Sequence, residues 1–150
     1  MKELTVLILA ALPVFEVRAS IPLGIAVYKL SPVTTIILSI LGSVLPVFPI
    51  LWFLANLTGG LRKIKVFDEF FEWLFSHTRA RSQWIKEIEL VGLTIFIAIP
   101  LPGFGIWTGM VAAYLLGIRW WPTFISAIVG TTLASCLVFG ATLGVINFIL

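Results

Sequence analysis

The sequence predicts an all-α integral membrane protein: two re-entrant helical hairpins and two transmembrane helices in an inverted repeat, with a cytoplasmic amphipathic helix. Composition gives the class, because 60% of the 150 residues are hydrophobic and 11% are charged, against about 25% charged in soluble domains. The mean hydropathy is +1.13. The distribution of charges predicts the order of the segments, since eleven of the seventeen charged residues lie in residues 58–89, between two long apolar regions.

These regions predict a single membrane domain, 1–150, in three parts. Residues 1–57 form a first repeat of one hairpin and one span, residues 58–89 a cytoplasmic amphipathic linker, and residues 90–150 a second repeat. We expect no cleavable signal peptide, because the first apolar stretch leads into Glu16 and Arg18 and not into a small-residue cleavage site.

The first apolar region is too broken to span a membrane as one helix. Pro13, Glu16, Arg18 and Pro22 interrupt it, which leaves residues 4–15 as a helix of about 18 Å. That length reaches roughly half way across a hydrocarbon core of about 30 Å. We therefore predict that this region forms a re-entrant hairpin, with its break near the middle of the membrane and a second half-helix starting near Pro22.

Residues 32–57 carry no charge over 26 residues and predict the first span. Pro46 and Pro49 lie inside it and should kink the helix, because proline removes a backbone hydrogen bond. In the linker, Ile64, Phe67, Phe71 and Leu74 recur at helical spacing, with charges on the other faces. This pattern predicts an amphipathic helix over 61–75 lying on the inner membrane surface.

The second repeat follows the same order 88 residues later. Residues 90–99 predict a half-helix of about 15 Å before the break at 100–105, and residues 122–150 predict the second span. A Gly-Ser or Gly-Thr pair lies early in each span, at 42–43 and 130–131. One span per repeat gives the repeats opposite orientations, as in many secondary transporters. The basic residues of the linker place it in the cytoplasm and the C-terminus outside.

Glu16 and Arg18 are the leading functional candidates, because a charge at the centre of a bilayer helix costs about 2.5–3.5 kcal/mol even on the lenient insertion scale. Glu16 could exchange a proton and Arg18 could hold a phosphate or carboxylate. The alternative is a buried structural ion pair. Broken backbone at membrane depth must be buried in protein or line a wet cavity, so we expect the two breaks to meet.

The second break carries no charge, but its glycines permit tight turns and close approach. The half-helix after it begins near 106–109, and its N-terminal N–H groups favour an anion. The alternative is that these glycines only let the hairpin tips pack. The predicted substrate- or proton-binding residues are Glu16, Arg18, Pro22, Gly24, Pro100, Pro102, Gly103, Gly105, Trp107 and Thr108.

Enzymatic and metal chemistry find little support in the sequence. One cysteine, Cys136, and one histidine, His77, supply neither a Cys/His nucleophile nor a metal site. We therefore expect no catalytic residues, no metal and no cofactor. The net charge of +3 is small and suggests orientation in a membrane, not nucleic-acid binding. The expected partners are membrane lipids, a small-molecule or lipid substrate and a second copy of the chain, packed through the Gly/Ser/Thr-rich last span.

The chain resembles the putative small multidrug export protein family over essentially its whole length. The resemblance rests on EVRASIPLG at 16–24, PLPGFGIWTG at 100–109 and LLG at 115–117. That family is distantly similar to the DedA/VTT superfamily, whose members have two re-entrant hairpins in an inverted repeat. Several of them are implicated in lipid flipping or scrambling, including undecaprenyl phosphate recycling.

By this resemblance, Glu16 and Arg18 take the place of the acidic and basic residues in the re-entrant loops of that superfamily. The second hairpin departs from it, because it lacks the arginine found in many DedA proteins. Together, the resemblance and these residues predict a multi-pass plasma-membrane transporter or flippase/scramblase of an amphipathic, anionic, lipid-like substrate, with proton coupling through Glu16 as a hypothesis that rests on its carboxyl group. A proton-coupled exporter of small drugs and a non-transporting membrane scaffold or assembly factor remain alternatives.

Overall fold

The computed structural model describes residues 1–79 and 83–149, and the helical prediction is confirmed across them. Two stretches are long and apolar enough to cross a membrane, Pro32–Leu61 and Trp120–Ile149. The helices of the described residues are α1 (Lys2–Ala11), α2 (Glu16–Pro22), α3 (Pro32–Val44), α4 (Val47–Leu61), α5 (Lys65–Arg79), α6 (Gln83–Ala98), α7 (Ile106–Leu115) and α8 (Trp120–Ile149).

The first apolar region is broken into two helices, as predicted, but the first helix ends at Ala11 and not at residue 15, and the second starts earlier than predicted. The break follows Ala11, and α2 begins at Glu16, so the prediction of a half-helix starting near Pro22 is wrong. Pro22 is instead the last residue of α2, and the chain continues as a π-helix over Leu23–Val27. The wider π turn accommodates a residue that cannot donate a regular helical hydrogen bond.

The first long apolar stretch is divided at Pro46, as predicted. Ser31 caps α3 by accepting a hydrogen bond from the Thr34 N–H at 3.2 Å, and Pro32 takes the first helical position. Pro49 does not kink the helix. It lies in the first turn of α4, where backbone N–H groups have no helical partner to lose.

Helix α5 is the predicted amphipathic helix, shifted towards the C-terminus: it starts at Lys65 and not at residue 61, because α4 extends to Leu61. Arg62, at the end of α4, pairs with Asp68 at 2.8 Å and with Glu72 at 3.3 Å. Apolar side chains of α5, including Phe70, remain exposed. The side chain of His77 and all of Arg81 lie outside the described residues.

The second apolar region also forms two helices around a break, but the first is longer than predicted. Helix α6 begins at Gln83 and not at residue 90, which makes it about 24 Å long. Its added turns carry the exposed charges Lys86 and Glu87, which extend the helix beyond the apolar stretch without breaking it. The break covers residues 99–105, and α7 begins at Ile106.

Packing brings the two halves together around α8. Helix α1 packs mainly on α3, α6 on α8, and α7 on α4, while α2 lies between α3 and α8. One apolar core joins α4, α6, α7 and α8, and a second joins α2 to α8. Large apolar side chains on the outer faces, such as Leu41, Trp52 and Leu137, are more than half exposed. Such a surface is stable in lipid and costly in water.

Candidate functional site

The two helix breaks lie against each other and satisfy each other's backbone. The guanidinium of Arg18 donates through Nη1 to the carbonyl of Leu101 and through Nη2 to that of Phe104, both in the second break. In the other direction, the indole N–H of Trp107 donates to the carbonyl of Ala11 at 3.2 Å, where α1 ends. Carbonyl groups of the second break and of the end of α1 thus have hydrogen-bond donors within the protein, as burial in a membrane requires.

Glu16 is the most buried charge at this junction, with 5% of its surface exposed. Its Oε2 accepts a hydrogen bond from Arg18 Nη2 at 3.2 Å, and its Oε1 lies 3.5 Å from the backbone N of Trp107 in the first turn of α7. Residues two apart on a regular helix do not face each other. Here Glu16 opens α2 with a left-handed φ of 42°, so its side chain does not follow the helical direction and can meet Arg18.

Gly105 makes the approach of Glu16 to α7 possible. It caps α7 with φ 129° and ψ −165°, a conformation essentially reserved for glycine. A Cβ at this position would lie 2.9 Å from Glu16 Cδ, so any side chain would displace the carboxylate. The predicted anion preference of the α7 N-terminus is therefore met by a carboxylate of the chain itself.

A cleft of about 390 Å³ opens beside the pair. Arg18 faces it with 19% of its side chain exposed. Both breaks contribute to its walls, which are formed by Pro13, Val14, Glu16, Arg18, Pro102, Gly103, Phe104, Trp107 and Thr108. The structure thus places six of the ten predicted site residues on one cleft, together with Gly105 directly behind Glu16.

A comparison with protein families assigns the chain to a family. A family model described as "Putative small multi-drug export protein" matches residues 16–137, a stretch that contains Glu16, Arg18 and the whole second break. The chain belongs to this family. Its membership, together with the two spanning-length helices, places the chain in a membrane. No curated protein and no solved structure shows a match to the chain.

Three predicted site residues of this export-family chain lie away from the cleft walls. Pro22 ends α2, and Gly24 lies in the π-helix against Thr35, where a Cβ would come 3.1 Å from Thr35 Oγ1. Gly24 therefore permits the close packing of the π-helix on α3. Pro100 is half-buried at the start of the second break and does not line the cleft.

Several polar groups of the site carry no signal in the sequence. The carbonyls of Leu101 and Phe104 accept from Arg18 through backbone atoms, which every residue possesses. Ser43 and Thr131 look like helix-packing residues in the sequence, yet both line a small cavity behind Glu16. The repeated Gly-Ser and Gly-Thr pairs were the available clue to them. Within the described residues, no group of three or more His, Cys, Asp or Glu side chains could hold a metal ion.

Proposed function

We propose that this protein is a transporter or flippase that moves an amphipathic, anionic, lipid-like substrate past the junction of the two breaks. One observation carries the proposal: a buried carboxylate and a partly exposed guanidinium share one hydrogen bond at the wall of a cleft that both breaks form. Ionisable residues at membrane depth mark substrate or proton pathways in transport proteins. We thus propose a transporter and not an enzyme.

The proposed architecture is a pair of re-entrant hairpins in an inverted repeat. In its support, α1 packs on α3 much as α6 packs on α8. Gly42 and Gly130, 88 positions apart, allow these two contacts. A Cβ on Gly42 would lie 2.8 Å from Ala10 Cβ, and one on Gly130 would lie 2.8 Å from the Thr94 carbonyl oxygen.

The lengths of α1 and α7 support a hairpin tip near mid-membrane, whereas α6, at about 24 Å, is longer than half of the hydrocarbon core. Helices α1 and α7 have ten residues each, or about 15 Å, half of a hydrocarbon core of about 30 Å. In the proposed orientation in the plasma membrane, the linker with its basic residues is cytoplasmic, and the C-terminus is outside. A lipid headgroup would then reach the Arg18 cleft at half depth, with its chains against the apolar outer faces.

The pairing of Glu16 with Arg18 suggests how protons and substrate are coupled. While Glu16 is ionised, it neutralises Arg18, and an anionic headgroup finds little net positive charge. Protonation of Glu16 leaves the charge of Arg18 uncompensated and free to pair with the headgroup. By linkage, the bound anion in turn strengthens proton binding at Glu16. An anionic substrate should therefore bind more tightly as the pH falls.

Export of small drugs is the second candidate, and the description of the family favours it. A cationic drug would pair with the ionised carboxylate of Glu16 and would compete with the proton. Its affinity should therefore rise with pH, which is the opposite of the sign expected for an anion. The pH dependence of binding thus separates the two substrate classes without knowledge of the natural substrate.

The test uses purified protein in liposomes that contain a fluorescent phosphatidylglycerol, whose movement between leaflets is followed by chemical quenching. We expect movement with wild-type protein and its loss in Glu16→Gln and Arg18→Ala at equal protein abundance. Arg119→Ala is the matched control, because Arg119 is exposed and lies outside the cleft. Folded wild-type protein that moves neither this lipid nor a cationic dye would refute transport and support the scaffold alternative.

We also propose that the protein is a homodimer formed through the outer face of α8. Cys136, Gly140 and Gly144 follow one another at four-residue spacing and are exposed. A Cβ on either glycine would meet nothing within 4 Å. Small residues at this spacing let two membrane helices approach closely.

A further inference from the structure

A second, smaller cavity shares Glu16 with the cleft and is otherwise lined by different residues. Its volume is about 10 Å³, and its polar walls are Glu16, Ser43 and Thr131. The remaining walls are four apolar side chains of α2, α6, α7 and α8. Glu16 is thus a wall of both the cleft and the smaller cavity.

Three buried hydroxyl groups of α8, those of Ser126, Thr131 and Ser135, have no hydrogen-bond partner among the described residues, and of these Thr131 lines the cavity. Thr123, Thr132 and Thr142 each donate their hydroxyl to the carbonyl four residues earlier in α8, at 2.7–2.8 Å. Thr131 is 2% exposed, and its Oγ1 has no hydrogen-bond partner among the described residues. Leaving a buried hydroxyl unpaired is unfavourable, so this atom points to a partner that is not a protein group.

The corresponding residue in the first half is paired. Ser43 precedes Thr131 by 88 positions and donates to the Ala10 carbonyl at 3.0 Å. Its oxygen keeps the capacity to accept. The cavity therefore offers one free hydroxyl, one hydroxyl acceptor and one carboxylate acceptor around a single small volume.

We propose that this cavity is a binding site for one water molecule, held between Thr131, Ser43 and Glu16. A buried water needs roughly 10–15 Å³ and two to four polar partners, and the cavity meets both requirements. The water donates to Glu16 and to Ser43 and accepts from Thr131. Thr131 is thus a positioning residue that acts on Glu16 through the water.

The site deepens the proposed function, since it gives the carboxyl group of Glu16 a hydrogen-bond partner in a cavity distinct from the substrate cleft. Its role in proton coupling rests on that proposed function, but the water site itself does not. The test therefore measures stability without any substrate, so that the two ideas can fail separately.

The test compares Thr131→Val with Thr132→Val, two isosteric changes on neighbouring residues of α8. In a dry cavity, Thr131→Val removes an unpaired hydroxyl and leaves the unfolding temperature unchanged or raises it. With the water bound, the same change removes one of its partners and lowers the unfolding temperature, by about 2–4 °C for a chain of this size. Thr132 is exposed, and its hydroxyl donates to the Ile128 carbonyl of its own helix and not into the cavity, so Thr132→Val should lower the unfolding temperature less than Thr131→Val does.

Both variants and the wild type are measured in lipid bicelles, in sodium chloride and in choline chloride. A neutral or stabilising Thr131→Val overturns the proposal, and so does a loss that appears in sodium alone, because the occupant would then be a cation. A high-resolution crystal structure of the wild type gives the second measurement. We expect density for one water within hydrogen-bond distance of Thr131 Oγ1 and Glu16, and its absence in well-defined density would refute the site.

Discussion

Gly105→Ala should destabilise the protein far more than the same change at Gly103. Both glycines have positive φ, at 129° and 86°, so an alanine at either position strains the backbone by about 1–3 kcal/mol. They differ in their surroundings. A Cβ at Gly105 would meet the Glu16 carboxylate, with Cδ at 2.9 Å, whereas one at Gly103 would meet nothing within 4 Å.

The extra cost at Gly105 follows from what the carboxylate must give up. Glu16 would have to leave the N-terminus of α7 and lose its contact with the Trp107 N–H. A hydrogen bond to a charged group contributes about 1.5–3 kcal/mol, so Gly105→Ala should exceed Gly103→Ala by about that amount. The combination of φ and ψ at Gly105, which is essentially restricted to glycine, should increase the destabilisation by Gly105→Ala further.

The measurement is the free energy of unfolding in bicelles, from denaturant titrations of the wild type and the two variants under one set of conditions. A difference below about 0.5 kcal/mol between the variants would refute the reasoning, because it would mean that Glu16 does not depend on the space at Gly105. If Gly103→Ala were as stable as the wild type, the expectation that a positive φ makes alanine unfavourable at this position would be wrong.

Two further predictions use the glycines and the cysteine of α8. Gly130→Ala should lower the free energy of unfolding by at least about 1 kcal/mol, because the added Cβ would lie too close to the backbone of α6. Gly140→Ala places its Cβ in open space and should not lower it. Equal effects of the two changes in a denaturant titration in bicelles would contradict the packing of α8 on α6. Cys136 is exposed on the same face as Gly144, so mild oxidation in liposomes should give a disulfide-linked dimer that Cys136→Ser abolishes; monomer alone would count against the dimer.

The sequence predicts the helices well because membrane helices leave strong signals. Uncharged stretches of 26 and 29 residues locate both spans, and Pro46 locates the division of the first. The errors are at helix ends. Pro22 looks like a helix start, yet α2 begins at Glu16, and the left-handed backbone that permits this start depends on contacts with the second break.

The site was predictable as a set of residues but not as a geometry. Glu16 and Arg18 stand out because charges at membrane depth are costly, and proline with glycine marks the second break. Arg18 donates to backbone carbonyls, and Glu16 accepts from a backbone N–H as well as from Arg18. Because every residue has these backbone groups, the sequence does not identify them as partners. Gly24 differs from these residues, since it lies against Thr35 and not on the cleft.

The absence of a second arginine from the second break acquires a physical meaning in this arrangement. Arg18 reaches across the junction and donates to two carbonyls of that break while it also pairs with Glu16, so one guanidinium contacts both breaks. Five N–H donors in a planar fork permit this, and the three donors of a lysine on a flexible stem do not offer the same geometry. A headgroup that draws Arg18 towards the cleft would therefore loosen the contact between the two breaks. In the proposed mechanism, substrate binding and movement of the hairpin tips are then one event, and the proton on Glu16 decides when Arg18 is free to take part.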